Sequence, residues 1–357
     1  MHNKFLLQAL ELANIRRGFC APNPSVGAVV VKENKVLATG YHYAAGQAHA
    51  EVSALSQLGD QAKGATIYVT LEPCCHWGKT PPCTDLLIER GIAQVFYGFA
   101  DPNPLVAGAG VERLHRAGIR CELLPLPEIA AFYQSYCFWL QHKLPFVTAK
   151  LAMTLDGKIA GPQGVPMKIT SAEADQFTHQ CRLKADALLT TVNTIYHDNP
   201  QLNVRLDNTI IAKPLYIIDR DLQLQSQAKV FTTAQELIVF HAQRLSAERK
   251  VASDAKPIRY VAIKETTQGL DLAEILAVIG KEGRHDLWVE AGGGLVQNLI
   301  LENFIQRAYF ITAPKWLGNE AKPAFSQAID ITAKAAAIGW QSLGEDGLCV
   351  VEFVNSP

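Results

Sequence analysis

The fragments GQAHAEVSAL at 46–55 and TLEPCCHWGKTPPC at 70–83 hold more metal-ligand candidates than one metal needs. His49, Cys74, Cys75, His76 and Cys83 fall within a short span, and Glu51 stands two residues beyond the first histidine. Three of the chain's eight cysteines crowd into the second fragment. In a chain of 357 residues that crowding points to metal chemistry in a reducing compartment and away from a disulfide framework, so a cytoplasmic location is expected.

Outward from these fragments, β-branched runs alternate with helical patterns. VGAVVV at 26–31, TIYVT at 66–70, AQVFYGF at 93–99 and IRCELL from Ile119 read as strands. Helical spacing opens the chain at Leu6, Leu10 and Ala13 and returns after His49, from Thr84 and from Gly110. The alternation predicts a three-layer α/β/α sandwich. One long helix is expected from Glu128 to Lys143, ending before Pro145, because proline disfavours helix in the residue that precedes it. The domain boundary is placed there, dividing the chain into 1–145 and 146–357. The second portion again reads as α/β, with strands in ALLTT, PLYIID, ELIVFH, DLWVEA and AYFITAP and helices from about Ala172 and Leu270.

A formal net charge of −1 offers no footprint for a nucleic-acid backbone, so no nucleic-acid partner is expected. No apolar run approaches the ~20 residues of a membrane span, and the N-terminal segment lacks signal-peptide order. A two-domain enzyme acting on small molecules remains.

His49-Ala50-Glu51 followed by Pro73-Cys74 fits the H-x-E…P-C pattern of zinc deaminases. One imidazole and two thiolates fill three tetrahedral positions on zinc and leave a fourth for water, whose pKa the metal lowers. Glu51 is no ligand in that scheme but moves protons between the water and a leaving amine. Pro73-Cys74 is expected to start a second helix whose N-terminal end favours the thiolate. The usual second cysteine, three positions after the first with two residues between them, is Trp77 here, so a loop carrying Gly78, Pro81 and Pro82 must return Cys83 to the metal. Cys75 is the alternative, disfavoured because adjacent residues rarely both reach one metal. A purely structural Cys/His site is the other alternative, and it leaves Glu51 without a role.

With these residues placed, APNPSVGAVVV, GYHYAAGQAHAE, TLEPCCHWGKTPPCTDLLIERGI and DPNPLVAGAGVERLHRAGI resemble the bifunctional riboflavin-biosynthesis family, which joins a pyrimidine deaminase to a reductase. The resemblance implies a cytidine-deaminase-like first domain, with His49, Cys74 and Cys83 on one catalytic zinc and Glu51 as proton shuttle. It further implies that Asn23, His42, His76, Lys79 and Asn103 line the substrate site, with His76 and Lys79 on the bulged loop, where a cation suits a ribose phosphate. For His42 a surface-loop role is the alternative.

AKLAMTLDGKIA at 149–160, CRLKADALLTTVNTIYHDNPQLNVR and LWVEAGGGLVQNLI resemble the reductase half of the same family, which implies a dihydrofolate-reductase-like fold and NADPH as coenzyme. The implied reaction is hydride delivery to the C1′ imine of a pyrimidine ribosyl phosphate. A glycine loop opening a helix, Gly292, Gly293 and Gly294, exposes N–H groups to a pyrophosphate, although an ordinary tight turn would read alike. Arg182 and Arg205 are candidates for the substrate phosphate, against solvated surface arginines. The resemblance carries over Ala152, Thr194 and Asp198 to the coenzyme and Leu202 and Glu290 to the substrate, with Asp198 alternatively a turn residue in DNP.

This half departs from the family in GVPMKIT at 164–170, where Pro166 and Lys168 stand in place of a serine and an aromatic, and at Arg220, where a small hydroxyl residue is common. Lys168 or Arg220 then serves the extra phosphate of NADPH, or the second domain has altered specificity or no catalysis of its own beside an active deaminase. Apolar strands such as AYFITAP suit pairing of two copies through the reductase domain.

Overall fold

The computed structural model describes residues 2–77, 81–103, 108–245 and 257–354. Lys79, with its neighbours Gly78 and Thr80, lies outside them. The chain divides into two compact units, Met1–Lys143 and Leu144–Pro357.

The first unit runs α1 (His2–Ile15), β1 (Gly27–Lys32), β2 (Lys35–Tyr41), α2 (Ala50–Leu55), β3 (Thr66–Val69), α3 (Cys83–Glu89), β4 (Gln94–Tyr97), α4 (Ala109–Arg116), β5 (Arg120–Leu123), α5 (Pro127–Phe132) and α6 (Gln134–His142). Its strands form one sheet in the order β2-β1-β3-β4-β5, with β1 antiparallel to both neighbours and β3, β4 and β5 parallel. Strand alternation sets the layers. Val29 and Val31 meet Leu6, Ala9, Ala13 and Tyr133 on one face, and Ala28 and Val30 meet Ala54, Leu55, Leu87 and Leu114 on the other. The three layers expected from the sequence are present.

Two local readings change. The helix expected from Glu128 to Lys143 breaks at Tyr133, which takes φ −92° and ψ 4° between α5 and α6. Its buried hydroxyl donates to Ser25 O at 3.0 Å and pairs with Thr70 Oγ1 at 2.7 Å, fixing the ring over the sheet and forcing the helix to turn around it. Strand β2 is short of core residues and was not among the strands read from hydrophobic runs; its pairing with β1 supplies what its own pattern lacks.

The second unit continues with β6 (Phe146–Thr154), β7 (Lys158–Pro162), α7 (Ala172–Lys184), β8 (Ala187–Thr191), α8 (Val192–Asp198), β9 (Val204–Leu206), β10 (Thr209–Ile211), β11 (Leu215–Ile218), α9 (Val230–Thr233) and β12 (Leu237–Ala242). Next come β13 (Ile258–Ile263), β14 (Glu265–Thr266), β15 (Gly269–Leu270), α10 (Leu272–Lys281), β16 (Asp286–Glu290), α11 (Gly293–Leu301), β17 (Arg307–Ala313), β18 (Ala321–Pro323), β19 (Ala335–Leu343) and β20 (Asp346–Phe353). Among the described residues, nine strands form a sheet in the order β13-β12-β11-β8-β16-β6-β17-β20-β19. From β13 to β17 neighbouring strands are parallel, and β20 and β19 add an antiparallel edge. Leu189, Phe240 and Val289 bury one face against Ile275, Ile279 and Val296, while Leu188, Val239 and Trp288 bury the other against Phe231 and Leu224. Both faces are covered, as a parallel sheet requires.

Candidate functional site

His49 is the N-cap residue of α2, so its backbone is extended while its side chain projects from the helix mouth. Gly40 on β2 allows this placement, because a Cβ there would lie 2.4 Å from Ala50 O. Cys74 follows β3 in a loop. The second helix does not begin at Pro73-Cys74, as the sequence suggested, but at Cys83. The expected electrostatic effect survives by another route: the Cys83 N–H donates to Cys74 Sγ at 3.3 Å.

The ligand atoms of His49, Cys74 and Cys83 all lie within 4.8 Å of one another. His49 Nδ1 stands 3.2 Å from Cys83 Sγ and 3.5 Å from Cys74 Sγ. Tetrahedral bonding to zinc places nitrogen and sulfur ligands about 3.5 Å apart, so separation and donor chemistry both fit that ion. The Cys83 thiol's hydrogen bond lowers Cys74 to about 4 and raises Cys83, a split that a divalent cation removes by holding both as thiolates. Cys75 is not part of the cluster.

Glu51, in the first turn of α2, is buried beside the cluster, and that burial pushes its carboxyl upward. The cluster opens onto a cavity of about 400 Å³ whose lining includes Asn23, His42, Glu51, His76 and Asn103. His42 is 2% exposed and no surface-loop histidine. Its Nδ1 faces Ala48 O at 3.0 Å and so carries the proton, leaving Nε2 to accept from Asn23 Nδ2 at 3.1 Å. Burial lowers its pKa and keeps it neutral. The Nδ1 of His76 is buried without a partner among the described residues. Glu72, Asp101, Tyr136 and Trp139 also line the cavity and escaped sequence reasoning. Glu72 sat inside the quoted motif, and Tyr136 and Trp139 share a face of α6 at i, i+3 spacing, but nothing local distinguishes these from core residues.

In the second unit the carried-over residues collect at the carboxyl ends of parallel strands, where α/β sheets bind ligands. Ala152 lies near the end of β6, and Thr194 is in the first turn of α8, its N–H bonded to Thr191 Oγ1 at 3.3 Å. Asp198 closes α8 just before Asn199, which takes φ 40°, so the DNP segment is a turn; burial raises the Asp198 carboxyl. Gly292 caps α11. A Cβ on Gly293 would fall 1.4 Å from Ala324 O, whereas Cβ atoms on Gly292 and Gly294 would meet nothing within 4 Å. Packing therefore explains one glycine of the three.

Leu202 is buried, and Glu290 ends β16 within a dense polar network. Arg182, itself buried, grips Glu290 with its fork, Nη2 reaching Oε2 at 2.9 Å, and donates through Nη1 to Asn203 O at 2.8 Å. The N–H edge expected to meet a phosphate is turned to Glu290. Trp288 Nε1 donates to Glu290 Oε1 at 2.7 Å and Lys150 Nζ lies 3.5 Å from Oε2. Burial alone would raise this carboxyl, but the charges of Arg182 and Lys150 and the hydrogen bonds of Arg182 and Trp288 hold it well below the usual carboxylate range. Arg205 is exposed and bonds Asn203 Oδ1 at 2.7 Å. Lys168 pairs with Asp175 at 3.1 Å and Arg220 with Asp221 at 3.0 Å, both at the surface.

Against known proteins, a family model described as "RibD C-terminal domain" matches residues 145–349, and one described as "Cytidine and deoxycytidylate deaminase zinc-binding region" matches residues 1–99. The chain is 40% identical to the riboflavin biosynthesis protein RibD of Aquifex aeolicus over 88% of its own length and 87% of that protein's. It is 36% identical to RibD of Escherichia coli over 89% of each. Among solved structures it is similar to Acinetobacter baumannii RibD (TM-score 0.86, 32% identity, 99% of each chain). It matches equally well a deaminase/reductase from Thermotoga maritima (TM-score 0.86, 31% identity, 99% of each chain).

Proposed function

The chain belongs to the RibD family of riboflavin biosynthesis proteins, and from that membership we propose that it is a bifunctional enzyme whose two units act in sequence. The first unit deaminates 2,5-diamino-6-ribosylamino-4(3H)-pyrimidinone 5′-phosphate, taking up water and releasing ammonia. The second reduces the resulting 5-amino-6-(5-phosphoribosylamino)uracil at C1′, opening the sugar to a ribityl chain. The observation that carries this reading is the His49–Cys74–Cys83 cluster beside a buried Glu51 on the wall of a cavity.

Bound zinc supplies an acidified water and bound NADPH supplies a hydride. The protein's own residues do the rest. Glu51, with its carboxyl raised by burial, takes the proton of the attacking water and passes it to the amine that leaves. Asn23 and neutral His42 orient the base, and His76 offers a buried ring nitrogen to the ligand. In the second unit, Gly292 and Gly294 leave the start of α11 open to the coenzyme pyrophosphate, and Arg182 and Lys150 keep Glu290 ionised to hold the ribosyl chain.

Two broader assignments belong to the same proposal. The protein works in the cytoplasm, in keeping with eight free cysteines; no helix among the described residues is long and apolar enough to cross a membrane. Two copies associate through the reductase unit, for which the exposed edge strand β19 is the candidate surface.

The test is a coupled assay on metal-loaded protein that follows deamination and then loss of NADPH absorbance, in wild type and Glu51→Ala. Both steps are expected in wild type, with Glu51→Ala halted at the first and still reducing the deaminated product when it is supplied. Deamination without NADPH consumption would overturn the assignment of the second unit.

A further inference from the structure

We propose that Lys315 is a positioning residue of the reductase unit, fixing the backbone of segment 164–171 as a rigid rim of the coenzyme site, with Asp346 holding the far end of the same segment. The inference rests on the reductase reading above and goes beyond it, because it concerns how the departing stretch GVPMKIT keeps its place.

The side chains of that stretch do little to anchor it. Val165 and Met167 are exposed, Lys168 reaches out to Asp175, and within 164–170 Ile169 alone is buried. The main chain is gripped instead. Lys315 Nζ donates to Lys168 O at 2.9 Å and to Ile169 O at 2.6 Å. Two residues on, the Ser171 N–H donates to Asp346 Oδ2 at 2.7 Å and the Ser171 hydroxyl to Leu343 O at 3.3 Å. Toward the other end, the Gly161 N–H donates to Val165 O at 2.9 Å. None of these bonds calls for an N–H at 166 or a particular side chain at 168, so Pro166 and Lys168 leave the grip intact.

The gripping residue itself stands on a fixed footing. Lys315 follows β17, and its carbonyl accepts the Leu155 N–H at 3.0 Å from the turn after the neighbouring strand β6. Asp156 in that turn accepts the N–H groups of Leu317 and Gly318 at 3.2 and 2.8 Å. Strands β6 and β17 are parallel, so these turns meet at their shared carboxyl end, where α/β sheets bind ligands. Lys322, whose Cδ would lie 3.9 Å from a Cβ at Gly164, also acts through its charge on Asp198, which sets the start of the segment near a residue carried over to the coenzyme. Asp346 is 2% exposed, and its Oδ1 has no partner among the described residues. A desolvated carboxylate oxygen left without a donor costs stability, so what this aspartate contributes is the fixed position of Ser171. A rim that is in place only part of the time would weaken coenzyme binding by that fraction, and the clamp prevents this.

The test uses full-length, zinc-loaded protein as wild type, Lys315→Met, Lys315→Arg, Asp346→Ala and Asp346→Asn. Steady-state kinetics in NADPH, with the deaminated product supplied, are measured beside hydrogen exchange across 164–171, and deamination by the same samples serves as the internal control. Lys315→Met is expected to raise KM for NADPH roughly 10-fold, the scale of one lost hydrogen bond from a charged group, while kcat stays within about threefold. Exchange across 164–171 quickens and deamination is unchanged. Lys315→Arg keeps a cation with several donors and returns KM to within about threefold of wild type. Asp346→Ala gives the same split between KM and kcat, whereas Asp346→Asn, which keeps an acceptor for the Ser171 N–H, does not. An unchanged KM in Lys315→Met, or a loss of kcat and melting temperature that arginine does not rescue, overturns the proposal and leaves the reductase reading standing. A wild type that deaminates but never consumes NADPH removes the reductase reading and this inference with it.

Discussion

Cys75 and Cys83 share a residue type and a motif, yet only Cys83 brings its sulfur to His49 and Cys74. Cys83→Ser is therefore expected to lower zinc content well below one equivalent by atomic absorption, while Cys75→Ser retains it. The reverse pattern would return Cys75 to the metal. His179 offers a residue-scale prediction of another kind. Burial, with Arg182 and Arg205 adding to it, drives its pKa from 6.5 down to about 4, and its neutral Nδ1 accepts the Arg205 N–H at 3.1 Å. A histidine whose pKa is lower in the folded state is protonated first in the unfolded chain. Its contribution to stability is thus complete above 6.5 and is lost as pH falls toward about 4. In urea titrations at pH 7.5 and pH 4.5, wild type should lose more stability between the two than His179→Gln does. Equal losses would show that His179 does not carry the effect.

Helix α11 separates packing from ligand access within three consecutive residues. A methyl group on Gly293 would strike the Ala324 carbonyl, so Gly293→Ala is expected to lower the melting temperature by several degrees, a loss of ~1–3 kcal/mol from overpacking. A methyl group on Gly294 meets open space and favours helix, so Gly294→Ala should fold at least as stably. If the coenzyme pyrophosphate approaches this helix mouth, Gly294→Ala nonetheless raises KM for NADPH. A Gly294→Ala enzyme with unaltered KM would place the coenzyme elsewhere. Helices α5 and α6 make a related point about legibility. Their apolar pattern reads as one helix because periodicity records which side chains are buried, not that the Tyr133 hydroxyl must reach Ser25 and Thr70. The helix read from Thr84 starts at Cys83, within one residue, whereas the helix expected at Pro73-Cys74 is absent.

At the scale of the whole molecule, the nine-stranded sheet ends in β19, whose AAAIGWQSL carries no charge or proline and exposes Ile338 and Trp340. An unprotected apolar edge is a ready template for pairing with another chain. Sedimentation velocity on wild type and Trp340→Glu is expected to show a dimer in the first and a shift toward monomer in the second; a monomeric wild type would leave β19 without that role. The alternation of strands and helices, the two-part organisation and the His49–Glu51–Cys74 chemistry could be read from the sequence, because each depends on residues close together in the chain and on periodicity that local backbone geometry imposes. Only the tertiary structure decided that the Tyr133 hydroxyl reaches Ser25 and Thr70 and breaks the expected helix, and that Arg182 turns its guanidinium to Glu290. Those pairings span long stretches of sequence, and which groups meet across them depends on how the packed layers close, a property that no single segment contains.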